Sequence, residues 1–278
     1  MLSRRAFVVG AGGVVAAGTA GLVAAGPRRV FHEVGWVSSP DHHVAASGWP
    51  IVERTLASTA MRRNATWAMA QPPTAPTGVI VCLHGRNGGL RQAFDLVHVH
   101  DVVADLGATL AVVSVDGGSH SYWHPRADGT DALSMVLDEL IPAVDLELGK
   151  VLPRAVMGWS MGGYGALLVG ETAPEMFRAV VAVSPALSRS YGDAADGAFD
   201  NASDFARYDV HAKRDALSSL VLRVDCGTGD PFIDGARRFV KDLSNPALGS
   251  FSAGFHDASY WRSVAPAEIE TIADALAS

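Results

Sequence analysis

The chain has 278 residues, 49% of them hydrophobic and 18% charged, with a formal net charge of −7. That is enough apolar material for a sizeable core and too little charge for a disordered chain. An acidic balance without a clustered basic face excludes nucleic acid as the expected partner, and two cysteines are too few for a disulfide-built scaffold.

Residues 1–26 read as an export segment and not as part of the fold. Ser3-Arg4-Arg5-Ala6-Phe7 opens it, and an uncharged Gly/Ala-rich stretch follows from Ala6 to Gly26, giving a positive n-region and an apolar h-region. The paired arginines resemble a twin-arginine signal. The stretch is also long enough to act as an N-terminal membrane anchor. Cleavage, with Val23-Ala24-Ala25 as the best small-residue site, and retention both stay open. Either way the expected location is the periplasm, the cell envelope or the medium, with membrane association through residues 6–26 in the anchored form.

Residues 27–50, with Pro27, Pro40 and Pro50, read as a linker. The adjacent His42 and His43 point to different faces of an extended chain, so they read as a solvated loop and not as a metal site. A single α/β domain is expected over 51–278. Val52–Ser58 and Asn64–Ala70 alternate and predict an outer hairpin. The run Val79-Ile80-Val81-Cys82-Leu83 is unbroken, as in a strand covered on both faces.

Helix and strand patterns then alternate. Helices are expected over Gln92–Leu106, Ala132–Leu146 (kinked at Pro142), Gly162–Thr172, Asp234–Leu243 and Ala265–Ala277. Strands are expected over Leu110–Val115, Ala155–Met157, Ala179–Val183, Leu220–Asp225 and Leu248–Ser252. That alternation predicts a mostly parallel, doubly wound sheet with helices on both faces. Residues 186–216 form a polar, Asp-rich excursion, either a cap over an acyl pocket or a solvated insertion. Cys82 and Cys226 fall on separated strands and are expected as buried free thiols.

The strongest chemical signal is Gly158-Trp159-Ser160-Met161-Gly162. It joins a predicted strand to a predicted helix, the setting of a nucleophile elbow. A serine hydroxyl needs a base, and the base needs an acid to fix its tautomer. In an open α/β sheet such groups collect on loops beyond the carboxyl ends of the strands. Asp230 and His256 follow the last two predicted strands, in the hydrolase order Ser…Asp…His. Among other acids, Asp225 still falls in the strand, Asp234 starts the next helix, and Asp257 adjoins the base but points elsewhere. Among other bases, His211 precedes the strand leading to the acid, and His120 and His124 lie on an earlier loop. His98 and His100 fall on different faces of a predicted helix and read as structural.

A developing oxyanion needs two preorganised N–H donors. One is the amide of Met161. The other belongs to the loop Leu83-His84-Gly85-Arg86-Asn87-Gly88-Gly89, with Arg86 as the expected donor and Gly85 as the fallback. His84 reads as the residue that orients this loop. Tyr122 and Trp123, on the loop after the next strand, are candidate substrate contacts at the mouth of the crevice, or simply a packed loop. The glycine-rich loop is not followed by G-K-[ST], so no phosphate site is expected, and neither a cofactor nor a metal is implied.

Cys82-Leu83-His84-Gly85, the elbow extended by Gly163-Tyr164-Gly165-Ala166, Asp225-Cys226-Gly227-Thr228-Gly229-Asp230, and His256 with Tyr260-Trp261 behind it together resemble the putative esterase family. That family includes esterase D (S-formylglutathione hydrolase), feruloyl esterases and the antigen 85 mycolyltransferases. The resemblance implies an α/β-hydrolase fold and Ser160, Asp230 and His256 as catalytic triad. It further implies Met161 and Arg86 amides as oxyanion hole and a small-molecule or lipid carboxylic ester as substrate. Three functions follow as expectations: an exported carboxylesterase; an acyltransferase moving acyl groups to a cell-envelope hydroxyl; or a noncatalytic envelope-binding protein on a hydrolase scaffold. The intact Ser, Asp and His argue against the third; the triad chemistry of the first two is identical, and the exported carboxylesterase is the main expectation.

Overall fold

The computed structural model describes residues 37–278 and, ahead of them, only the backbone of a short ladder between Val9–Gly10 and Gly13–Val14. Apart from that ladder, the expected export segment lies outside the described residues. Among the described residues no helix is long and apolar enough to cross a membrane.

One seven-stranded sheet organises the chain. Its strands are β1 (Ile51–Ser58), β2 (Arg63–Ala70), β3 (Gly78–Leu83), β4 (Leu110–Val115), β5 (Arg154–Trp159), β6 (Ala179–Val183) and β7 (Val221–Asp225). The spatial order is β1-β2-β4-β3-β5-β6-β7. The hairpin β1–β2 is antiparallel, and β2 lies antiparallel to β4; every other pairing is parallel. In β3, β4, β5 and β6 every residue is buried, which fits their mostly apolar sequences; Ser114 and Arg154 are the polar exceptions.

Among the described residues the α-helices longer than one turn are α1 (Val99–Asp105), α2 (Ile141–Leu148), α3 (Met161–Thr172), α4 (Ala202–Arg207), α5 (Ile233–Lys241) and α6 (Ala258–Ala277). One face of the sheet is covered by α1 and α6, which bury Val103, Ile269 and Ile272 with Ile80, Cys82 and Met157. The other face is covered by α2, α3 and α5, with Val144, Leu167 and Phe239 against Val81, Val113 and Val156. Cys82 and Cys226 are both buried and free, as expected.

Four elements differ from expectation. The predicted helix 92–106 is two pieces: a π-helical turn Gln92–Leu96, then α1, separated at His98, whose φ of 60° is left-handed. The helix at Pro142 is not simply kinked. Ala132–Ser134 leads into the π-helical Met135–Leu140, and α2 starts with Pro142 in its first turn, where a missing N–H is tolerated. Residues 248–252 are not a strand, because Gly249 at φ 112° breaks the pleat. They still run beside β7 through Val224 N–H to Leu248 O (2.9 Å) and Cys226 N–H to Ser250 O (3.1 Å). Finally, the last helix starts at Ala258, because Asp257 caps it by accepting the Tyr260 amide proton (2.8 Å). It runs on through Pro266.

The strand order reverses across β3. The chain moves from β3 to β4 on one side and then to β5 on the other, so a crevice opens beyond the carboxyl ends of β3 and β5. The register pairs Leu83 with Gly158, which brings the loops after both strands side by side.

Candidate active site

Ser160 sits between β5 and α3 with φ 57° and ψ −116°, a backbone conformation costly for a residue with a side chain. Neighbours hold it there. Its N–H donates to Val183 O (2.9 Å), and its carbonyl accepts from Tyr164 N–H and Ala186 N–H, both 3.0 Å. The two flanking glycines are required by close approach. A methyl on Gly162 would collide with the Leu83 carbonyl, and one on Gly158 with the Gly162 carbonyl.

Ser160, His256 and Asp230 form one hydrogen-bonded row. His256 Nε2 lies 2.9 Å from Ser160 Oγ, and His256 Nδ1 lies 2.8 Å from Asp230 Oδ2. The carboxylate accepts only, so Nδ1 carries the proton and Nε2 is left to accept from the serine hydroxyl. The Asp230 carboxylate has no exposed surface, whereas the His256 side chain is 24% exposed. Oδ1 of Asp230 is fixed by the Phe232 amide (2.8 Å). The two loops are tied together by Thr228 N–H to Ser252 O (2.7 Å) and Gly229 N–H to Gly254 O (2.8 Å). The His256 ring meets Phe232 edge-on at 5.2 Å and Trp261 at 5.5 Å.

The loop after β3 approaches the serine through Gly85, where a Cβ would stand 3.5 Å from Ser160 Cβ. Gly85 N–H is taken by Gln92 Oε1 at 2.5 Å, so this fallback donor is occupied. Among the described residues no acceptor takes the amide protons of Arg86 or Met161. His84 bridges this loop to the next one. Its Nε2 accepts the Gly117 amide proton (3.1 Å) and its Nδ1 lies 2.9 Å from Gly85 O. Burial disfavours its charged form, and both nitrogens are engaged, consistent with an orienting role.

Trp123 and Tyr122 are not at the mouth of the crevice. Trp123 has no exposed surface and Tyr122 is 4% exposed. Gly117 and Gly165 lack the side chains that would collide with the Trp123 ring, and its Nε1–H donates to His84 O (3.2 Å). It is a wedge under the site. Their left-handed φ values, 49° and 58°, turn both rings inward.

The remaining candidates lie apart from the row. Asp225 is buried against Arg223 and holds Ser250. Asp234 is a largely exposed side chain on α5, and His211 pairs with Asp242. His124 is buried, with a ring nitrogen facing each of the Pro125 and Ala198 carbonyls. His98 and His100 both lie against Asp101. Among the described residues no cluster of three or more His, Cys, Asp or Glu could hold a metal ion.

A family model described as "Putative esterase" matches residues 58–268. The chain belongs to the putative esterase family. Its class is that of the ester hydrolases. Among solved structures it is similar to a ferulic acid esterase (20% identity, TM-score 0.69, 82% of this chain and 98% of that one). It is also similar to an S-formylglutathione hydrolase from Agrobacterium tumefaciens (17%, 0.69, 86% and 100%). A third is MPT51 from Mycobacterium tuberculosis (17%, 0.65, 82% and 99%). At these identities the likeness is one of fold, the α/β-hydrolase fold.

In this esterase the excursion 186–216 packs onto the domain. Ala198, Phe199, Tyr208 and Val210 join the core, and Tyr164 Oη donates to Tyr208 O (2.6 Å). Cationic side chains hold its turn: Arg86 Nη2 donates to Asp196 O and Arg126 Nη2 to Gly197 O, both 2.9 Å, while Arg126 also pairs with Asp200. Sequence reasoning missed Gln92, Phe232 and Ser39 as site neighbours. Phe232, two residues after Asp230, carried the one usable signal. Gln92 and Ser39 reach the site only through tertiary contacts.

Proposed function

We propose that this protein is an exported carboxylesterase that works through an acyl-enzyme on Ser160. The observation that carries the reading is the unbroken row from Asp230 through His256 to Ser160 Oγ. Ser160 Oγ attacks the ester carbonyl carbon while His256 Nε2 takes the hydroxyl proton. Asp230 stabilises the resulting imidazolium and keeps the ring oriented. The carbonyl oxygen becomes an anion facing the Met161 and Arg86 amides. The tetrahedral centre collapses with cleavage of the ester C–O bond, and His256 returns its proton to the departing alkoxide. Water then repeats the sequence on the acyl-serine, releasing the acid and the free hydroxyl.

The substrate class is a small-molecule or lipid carboxylic ester, as family membership supports. Export rests on the Ser3-Arg4-Arg5 start and the uncharged stretch to Gly26. The deciding experiment combines p-nitrophenyl ester turnover with fluorophosphonate labelling. Wild-type protein is expected to hydrolyse at least one chain length and to be labelled at Ser160, and Ser160→Ala to do neither. A Ser160→Ala variant with undiminished turnover overturns the mechanism. Fractionation of the native host tests export separately.

A further inference from the structure

Residues 37–50 lie outside the span matched by the family model, and their sequence reads as a linker. In the structure they dock on the loop that carries His256. Ser39 is 7% exposed. Its Oγ accepts the Phe255 amide proton at 3.0 Å and donates to Asp257 Oδ2 at 2.7 Å. One hydroxyl thus ties the residues on both sides of His256. Asp257 uses its other oxygen to cap α6. Asp41 extends the docking with two bonds to Arg262 of that helix, Nε to Oδ1 at 2.8 Å and Nη2 to Oδ2 at 2.6 Å. That guanidinium draws the Asp41 carboxyl down to about 2.

We propose that Ser39 is a positioning residue for the esterase reaction, acting through His256; the proposal rests on the catalytic reading given above. The His256 loop has no regular secondary structure, so its backbone is set by the bonds made to it. A serine suits this place because a hydroxyl donates and accepts at once. Its side chain is small, so replacing it leaves little cavity and acts mainly through the two bonds. Without them the Phe255 amide loses this acceptor, the Asp257 carboxylate loses this donor, and His256 drifts from Ser160 and Asp230. Sub-ångström drift at a general base costs turnover more than substrate binding. The lead-in is therefore part of the working site, and a mature chain with full activity keeps Ser39 whatever happens to residues 1–26.

The test compares full-length Ser39→Ala and Ser39→Thr with wild type, normalised to folded protein by circular dichroism. Ser39→Ala is expected to lower kcat about tenfold with KM within about twofold, and to slow fluorophosphonate labelling of Ser160 by the same factor. Ser39→Thr, which keeps the hydroxyl, is expected to recover most of the rate. Wild-type labelling kinetics in Ser39→Ala overturns the proposal, and so does a Ser39→Thr variant that folds but is as slow as Ser39→Ala. Ser160→Ala run alongside separates the two ideas. If it stays active, the catalytic reading fails; if it is dead while Ser39→Ala is unimpaired, only the role of Ser39 fails.

Discussion

Gln92 Oε1 accepts the amide proton of Gly85 at 2.5 Å, and this bond occupies the fallback donor of the loop after β3. A Cβ on Gly85 would stand 3.5 Å from Ser160 Cβ, yet its donor is spent, whereas the neighbouring Arg86 amide has no acceptor among the described residues. Gly88 N–H to Gly85 O (3.0 Å) and Asn87 N–H to Ser119 O (2.9 Å) fix the rest of the turn. Replacing Gln92 by Leu leaves the Gly85 amide without this acceptor and loosens the turn that carries the Arg86 amide. Gln92→Leu is expected to lose about tenfold in kcat with little change in KM, and Gln92→Glu, which still accepts, to stay within about threefold. Steady-state kinetics on p-nitrophenyl acetate checks both.

Two aspartates close in sequence provide a contrast. Asp230 is buried and bonded to His256, while the Asp234 side chain is 72% exposed beside Arg189. Asp230→Asn keeps the shape but offers the imidazole an amide in place of a carboxylate. It is expected to cut kcat by about a thousandfold or more. Asp234→Asn is expected to leave turnover and melting temperature near wild type, since exposed pairs contribute little. Equal losses in the two variants would reassign the acid.

What was legible in the sequence follows physical periodicity. Strands buried on both faces are largely apolar runs, and the elbow is local chemistry, so β3 to β6 and Ser160 could be read directly. Asp230 and His256 could be read because loops after strands share one rim. Single-residue backbone choices could not: the left-handed turn at His98, the break at Gly249 and the inward turn of Tyr122 and Trp123. The opening turns of the last helix, Ala258 to Val264, were missed because Pro266 reads as a first-turn proline and so sets the expected start at Ala265. Ser39 was invisible because its partners stand at positions 255 and 257.

The cysteines are expected to be inert. Both are fully buried, and burial pushes each thiol well above its usual range, so almost no thiolate forms near neutral pH. A colorimetric disulfide reagent should report no free thiol in the folded protein and both after denaturation. Because neither sulfur belongs to the Ser160 row, alkylating reagents should leave esterase activity intact.

Glu171 gives the fold a pH dependence of calculable sign. It lies on α3, 8% exposed, with neither carboxyl oxygen hydrogen-bonded among the described residues. Burial first, and then Asp209, push it up to about 8, against an opposing pull from Lys213. The unfolded chain releases that proton near its ordinary value of 4.5. Between these limits the folded state holds a proton that the unfolded state does not, so stability falls as pH rises from about 4.5 to about 8. The contribution is fully present below the lower limit and gone above the upper one. Glu171→Gln holds the neutral form at every pH. It is expected to differ little from wild type near pH 5 and to exceed it by several kcal/mol, at most about 5, at pH 8.5. Glu268 is buried and raised in the same direction, so part of the slope should persist in the single variant and shrink further in Glu171→Gln/Glu268→Gln. Urea unfolding at intervals between pH 5 and 9 measures this. A Glu171→Gln curve parallel to wild type across that range would mean that Glu171 is ionised in the folded protein.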